Sequence, residues 1–349
     1  MDNAFLNSDI INNILKDYGI INSKISVIKF KNTDKQRIIY KISDEQKNKV
    51  YCLKKVYYGL PDLLYVYSAC EWLNKNKFRV PVFIKQCNNR RFVNYNNMYF
   101  FLTEWFSGSK CSFDNFTHII ISSKTLAKIH KMSKNFSAIK GSSERNGFEN
   151  VYISSLKHFS DLKKALSISK ENAGLFSESY KKSYKINETL AMLSVKIAST
   201  INFNNLSSSL CHGDYVNKNI LFPKDLNPCI IDFDKCKKDY CSKDLGYFMR
   251  RLLRRDKSLW DPLLAFETII AYTDINILNS DDLKYLISYL AFPQKFWRIT
   301  KNFYANKSDI EETRAAAYIL EESFKAKKAI EFIVSIITLI KNEYNISIL

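Results

Sequence analysis

The chain has no run of about 18 uncharged apolar residues, so the sequence predicts no membrane-spanning helix. Residues 1–18 carry Asp2, Asp9 and Asp17 with neither a basic leading segment nor a compact apolar block, which argues against a secretory signal peptide. Eight cysteines occur and no two form a CxxC pair. The nearest two, Cys236 and Cys241, lack a second pair or neighbouring histidines, so zinc is not expected. These absences predict a cytoplasmic, non-secreted protein with reduced thiols, and Cys52, Cys70 and Cys229, in apolar segments, read as small core residues. Acidic residues are few: 35 against 53 Lys and Arg, a net charge of +18. That balance favours acidic partners such as phosphates, nucleic acid or an anionic surface. Lysines are spread along the whole chain, with no arginine-rich arm and no nucleic-acid motif, so nothing beyond charge supports nucleic-acid binding. No internal repeat or low-complexity tract stands out.

What is present is globular: 46% hydrophobic and 25% charged residues in 349, long for one compact domain and sufficient for two lobes. Residues 8–18 read as a helix that Ser8 can cap, with Ile10, Ile11, Ile14 and Leu15 on one face and Gly19 as a stop. Residues 25–30, 37–43 and 49–56 are β-rich runs separated by polar turns at 32–36 and 44–47. Helical spacing returns over 61–74, and 80–85, 91–95 and 99–104 read as further strands. From Trp105 onward helical patterns dominate, at 117–133, 181–201, 243–254, 262–272, 280–289, 292–304 and 310–344, with 140–150 a polar loop. The expected division is a β-rich lobe over 1–103 and a helical lobe over 104–349.

The most specific stretch is 211–234. His212, Asp214 and Asn219 share one short polar loop, followed by a strand at 220–222, a turn at 223–228 and a strand at 229–231 that ends in Asp232. A hairpin here brings Asn219 and Asp232 together at one end. An amide oxygen and a carboxylate suit Mg²⁺ carrying nucleotide phosphates, and Asp214 is free to accept a proton from an attacking hydroxyl. The bland alternative is a capped turn in which Asp214 and Asn219 bond local backbone. His212 reads as loop support. Asp244 opens the next helix and reads as a cap or an acid on the positive helix end. Lys235, Lys237, Lys238, Arg250, Arg251, Arg254 and Arg255 read as a solvated face or as a docking surface for an anionic acceptor.

The run Cys-His-Gly-Asp-Tyr-Val-Asn-Lys-Asn-Ile-Leu at 211–221, with Ile-Ile-Asp-Phe-Asp at 230–234 and Lys-Asp-Leu-Gly-Tyr-Phe-Met-Arg-Arg-Leu-Leu at 243–253, resembles the aminoglycoside phosphotransferase and choline kinase superfamily. Tyr-Cys-Leu-Lys-Lys at 51–55, Phe-Leu-Thr-Glu-Trp-Phe at 101–106 and Leu-Ala-Lys-Ile-His-Lys at 126–131 agree with it. Ala-Phe-Pro-Gln-Lys-Phe-Trp-Arg at 291–298 points within it to the spore coat protein S (CotS) family. The likeness runs over about residues 20–310. It implies an α+β, two-lobed protein-kinase-like fold, with a small antiparallel β-rich N-lobe and a larger, mainly helical C-lobe.

By motif position it makes Asp214 the catalytic base, Asn219 and Asp232 metal ligands, and Lys54 the strand lysine on the nucleotide phosphates. It also sets the backbone of Glu104, Trp105 and Phe106 against adenine. ATP and Mg²⁺ are the implied cofactors, a small-molecule hydroxyl, anionic in one version, the implied acceptor, and coat proteins and coat deposition the implied context. Lys54 and Lys55 face opposite ways on a strand, so one of them faces inward; the motif favours Lys54. Asp234 reads as a second metal ligand, an orienting acid or an exposed turn carboxylate. Two departures stand out. No glycine occurs in the turn at 31–36, so a glycine-rich phosphate cradle is missing, and Asp62 and Glu71 are the only acids on the 61–74 helix that could pair with Lys54. A non-catalytic coat or assembly scaffold is therefore the alternative function.

Overall fold

A computed structural model describes residues 8–31, 36–305 and 311–349; the expected turn at 32–36 lies, Gln36 apart, outside the described residues. The chain forms two compact units. Taking described residues only, the first comprises the chain up to Cys111 with Asn135–Arg145 and Lys218–Cys236, and the second comprises Ser112–Lys134, Asn146–Asn217 and Lys237–Leu349.

The first unit is built on an antiparallel sheet. Strands β1 (Ser23–Lys31), β2 (Arg37–Asp44) and β3 (Lys49–Lys55) follow one another, and β4 (Val93–Tyr95) and β5 (Met98–Glu104) complete the order β1-β2-β3-β5-β4. Strict alternation makes β2 a half-buried strand: Ile38, Tyr40 and Ile42 point into the core while their neighbours are partly exposed. Helix α1 (Ser8–Lys16) lays Ile11, Ile14 and Leu15 on that core, and Gly19, at φ +65°, takes the left-handed turn that follows. Helix α2 (Leu60–Lys75) carries Pro61 in its first turn, where a missing N–H costs nothing.

Residues 80–85 are not a strand. They form no ladder: the preceding Arg79 makes an isolated bridge to Cys229, and Ile84 donates singly to the Leu102 carbonyl at 2.8 Å. Pro81 has no N–H to give, which is the physical reason no ladder forms. A small sheet of β6 (Ser109–Lys110), β8 (Ile220–Phe222) and β9 (Cys229–Ile230) completes this unit, with β8 and β9 as the antiparallel hairpin foreseen.

The second unit is helical: α3 (Phe116–Met132), α4 (Val151–Glu171), α5 (Leu175–Ala198), α6 (Cys241–Leu253), α7 (Pro262–Thr273), α8 (Ser280–Ala291), α9 (Gln294–Tyr304) and α10 (Glu312–Tyr344). Between them β7 (Ser208–Cys211) pairs antiparallel with β10 (Lys237–Tyr240). Helix α4 escapes the sequence reading because serines interrupt its apolar stripe; two of them, Ser155 and Ser169, are nevertheless buried. Trp260, Tyr272, Phe292, Phe296 and Trp297 are all buried and belong to the core. Among the described residues, no helix is long and apolar enough to cross a membrane.

Candidate active site

In the first unit the hairpin does what its sequence predicts. Ile220 pairs with Ile230, and the Ile231 N–H donates to the Asn219 carbonyl at 2.9 Å, so Asn219 and Asp232 sit at the same end. Asp232 has φ +69°, a left-handed backbone that Asp tolerates better than most residues. Lys54, in the middle of the β-sheet, reaches this end: its Nζ lies 2.8 Å from Asp232 Oδ1 and 2.6 Å from Asp234 Oδ1. The Lys54 side chain is 8% exposed and that of Asp234 3%. Burial alone would push the Lys54 amine down, but the Asp234 and Asp232 carboxylates outweigh it and raise it above its ordinary value, so the ammonium stays charged. The sequence looks for a lysine partner on α2. The structure supplies Asp232 and Asp234 instead: Asp62 is bound by Ser143 at 2.7 Å and Arg145 at 3.5 Å, and the buried Glu71 Oε1 has no hydrogen-bond partner.

These groups border a cavity of about 370 Å³ whose lining includes Asn219 and the segment 103–106. Ile28, Ile39, Phe83, Phe101, Leu221 and Ile231 give it apolar surface. The segment has one edge turned outward. Trp105 donates its N–H to the Val50 carbonyl at 3.0 Å, so Tyr51 and Glu104 form a non-hydrogen-bonded pair, and the N–H and C=O of Glu104 point away from β3. The cavity thus combines apolar walls, a backbone edge and a buried acid–base cluster. The two carboxylates already face one cation, the Lys54 ammonium, and Asp234 Oδ2 has no hydrogen-bond partner. With the Asn219 amide, this oxygen set fits a hard divalent cation.

Asp214 belongs to the second unit. Its loop is held from below. Asp244 Oδ2 accepts from the His212 N–H at 2.7 Å and Oδ1 from the Gly213 N–H at 3.0 Å. Asp244 is therefore not the helix cap, a place Tyr240 takes, but the acid in the first turn of α6, the other role its sequence suggested, and it also fixes this loop. His130 Nε2 lies 3.4 Å from the same carboxylate, while His130 Nδ1 contacts the Tyr272 hydroxyl at 2.6 Å. Burial disfavours charge on His130, yet Cys241 and Asp244 outweigh it and raise the imidazole above its ordinary value, consistent with donation from both nitrogens. The Cys211 sulfur lies close to the same His130–Asp244 pair and donates to the Asp239 carbonyl at 3.4 Å. Gly213 has φ +73°, a conformation in which any Cβ is strained. His212 is buried and accepts the Asp214 N–H on Nδ1 at 3.2 Å.

Asp214 is itself largely buried; the Tyr247 hydroxyl donates to its Oδ1 at 3.2 Å and Arg251 in turn donates to Tyr247 at 3.1 Å. Sequence reasoning missed Tyr247; its place one turn after Asp244 on a helix was the available signal. The basic set singled out in the sequence is largely committed. Arg254 pairs with Glu322 at 2.8 Å, Arg255 with Asp114, Lys237 with Asp239 at 3.2 Å, and Arg250 lies over the Tyr289 ring.

Among solved structures, an aminoglycoside phosphotransferase from Alicyclobacillus acidocaldarius is similar at TM-score 0.76 and 17% identity, covering 95% of this chain and 96% of that one. A spectinomycin phosphotransferase in complex with ADP and spectinomycin is similar at TM-score 0.62 and 17% identity, covering 92% and 98%. A microcompartment-associated aminopropanol kinase is similar at TM-score 0.57 and 15% identity, covering 94% and 98%. These likenesses establish a kinase-like fold with an antiparallel β-sheet N-lobe and a helical C-lobe. No curated protein matches the chain. The model of the phosphotransferase enzyme family APH matches residues 39–265, and the chain belongs to that family.

Proposed function

We propose that the protein transfers the γ-phosphoryl group of ATP, as its magnesium complex, to a hydroxyl of a small molecule. The observation that carries this reading is the buried Lys54–Asp232–Asp234 cluster at a cavity bordered by the 103–106 backbone edge. Asn219, Asp232 and Asp234 would hold the metal, which when bound neutralises phosphate charge as it develops on the leaving oxygen. Lys54 exchanges its carboxylate partners for phosphate oxygens, and the outward edge at Glu104, Trp105 and Phe106 takes the adenine. Asp214 accepts the acceptor's hydroxyl proton as its oxygen bonds to phosphorus and the bond to the ADP oxygen breaks. His130, Asp244 and Gly213 do not touch substrate; they keep Asp214 in place.

The acceptor is a small alcohol. Arg251, bonded to Tyr247 beside Asp214, supports a version of the acceptor with an anionic group. Association with the spore coat, and membership of the CotS family, rest on the 291–298 element and its neighbours alone. The test is ADP formation from ATP over a panel of polyols, amino alcohols and phosphorylated alcohols, with wild type and Asp214→Asn. An acceptor-dependent rate that falls by roughly 100-fold or more in the variant is expected; equal rates in both proteins overturn the role of Asp214.

A second reading, a coat scaffold without catalysis, is favoured by one observation. Glu71, half-buried on α2, does not pair with Lys54, and its buried Oε1 has no hydrogen-bond partner. It predicts no acceptor-dependent ADP formation for any member of the panel.

A further inference from the structure

We propose that Arg37 binds the terminal phosphates of the nucleotide, replacing the backbone amides of the missing glycine-rich loop. The inference rests on the nucleotide reading of the cavity given above. Arg37 is the first residue of β2, directly after a turn whose sequence contains no glycine. It lies two residues before Ile39, and residues two apart on a strand share a face. Ile39 lines the cavity and stands opposite Lys54 in the β2–β3 register. Arg37 thus enters the site from the same side of the sheet as the cavity lining.

Its guanidinium is aimed at the acids of the cluster. Arg37 Nη1 lies 3.6 Å from Asp234 Oδ2, with the side chains 15% and 3% exposed. The contact is an ion pair and not a hydrogen bond: Asp234 Oδ2 has no hydrogen-bond partner, whereas Oδ1 takes Lys54 at 2.6 Å and Tyr58 at 3.1 Å. A guanidinium held this loosely can be re-aimed at small cost.

Charge gives it a destination. Lys54 and Arg37 here balance Asp232 and Asp234. A triphosphate brings about four negative charges and a divalent metal about two positive ones. If the metal takes over the two carboxylates, the two cations lose their partners as an excess of about two negative charges arrives on the phosphates. Lys54 can answer one of these as a point charge, and the planar fork of Arg37 matches a phosphate oxygen pair.

The test is calorimetric titration of wild type, Arg37→Ala, Arg37→Gln and Arg37→Lys with Mg–ATP, Mg–ADP and adenosine. Loss of one charge-assisted contact should weaken Mg–ATP binding by roughly 10- to 100-fold in the Ala and Gln variants. Mg–ADP should lose less, adenosine nothing, and Lys should recover part of the loss. Unchanged Mg–ATP affinity in Arg37→Ala or Arg37→Gln, with wild type binding normally, overturns this inference and leaves the nucleotide reading standing. An equal loss for adenosine also overturns it, because it marks a packing defect. Failure of the wild type to bind any nucleotide overturns the nucleotide reading itself.

Discussion

Asp244 is the residue on which the Asp214 loop depends most. One buried carboxylate takes two backbone N–H groups of the loop and the His130 ring. Asp244→Asn turns an amide donor toward groups that are themselves donors, and we expect a loss of about 2–4 kcal/mol in urea unfolding. Burial alone would raise the Asp244 carboxyl; the hydrogen bond from His130 and the charges and amide around it outweigh that and hold it below its ordinary value. A depressed carboxyl contributes stability that is complete above the unfolded value, about pH 4, and is lost as pH falls through the folded value. Wild-type stability should therefore drop on acidification below about pH 4, with a shallower drop in Asp244→Asn. Parallel pH curves would contradict this assignment. None of this was legible in the sequence, where Asp244 is the fourth residue of a helix, His212 and Gly213 lie 32 and 31 residues upstream, and His130 lies 114 residues upstream. Lys54 is similar: the sequence offered Asp62 and Glu71 as its partners, whereas Asp232 and Asp234 are far along the chain, and only the fold brings them within 3 Å.

Whole elements were easier to read when one period governed them. The β2 alternation and the α1 stripe follow from spacing, because each has one apolar side and one polar side, and the β8–β9 hairpin follows from two short apolar runs joined by the turn at 223–228. Residues 80–85 look like a strand because they are a short apolar run, yet Pro81 within the run already argues against a paired strand there. Helix α6 shows a constraint that spacing also hides. Gly246 faces α8, and a Cβ there would come 2.8 Å from Tyr289 Cδ1, in the wall of a buried interface. Gly246→Ala should cost about 1–3 kcal/mol through overpacking, despite the better helix propensity of alanine. A melting temperature at or above the wild-type value would show that the interface accommodates the methyl group.

At the scale of the molecule, the family and the kinase-like fold account for the motifs of both units, while the net charge of +18 comes mainly from lysines spread along the whole chain. Charge alone therefore says little about the acceptor. The central claim is that the cavity of the first unit is a magnesium–nucleotide site. Ligand that binds only the folded state stabilises it by RT ln(1 + [L]/Kd), about 2.7 kcal/mol at one hundred times Kd. The most direct measurement is the thermal melt of wild type and Asp232→Asn with millimolar ATP, in magnesium and in EDTA. We predict a rise of several degrees for wild type with magnesium, a much smaller one in EDTA, and little or none in Asp232→Asn. No rise for wild type in Mg–ATP, or an equal rise in Asp232→Asn, would contradict the claim.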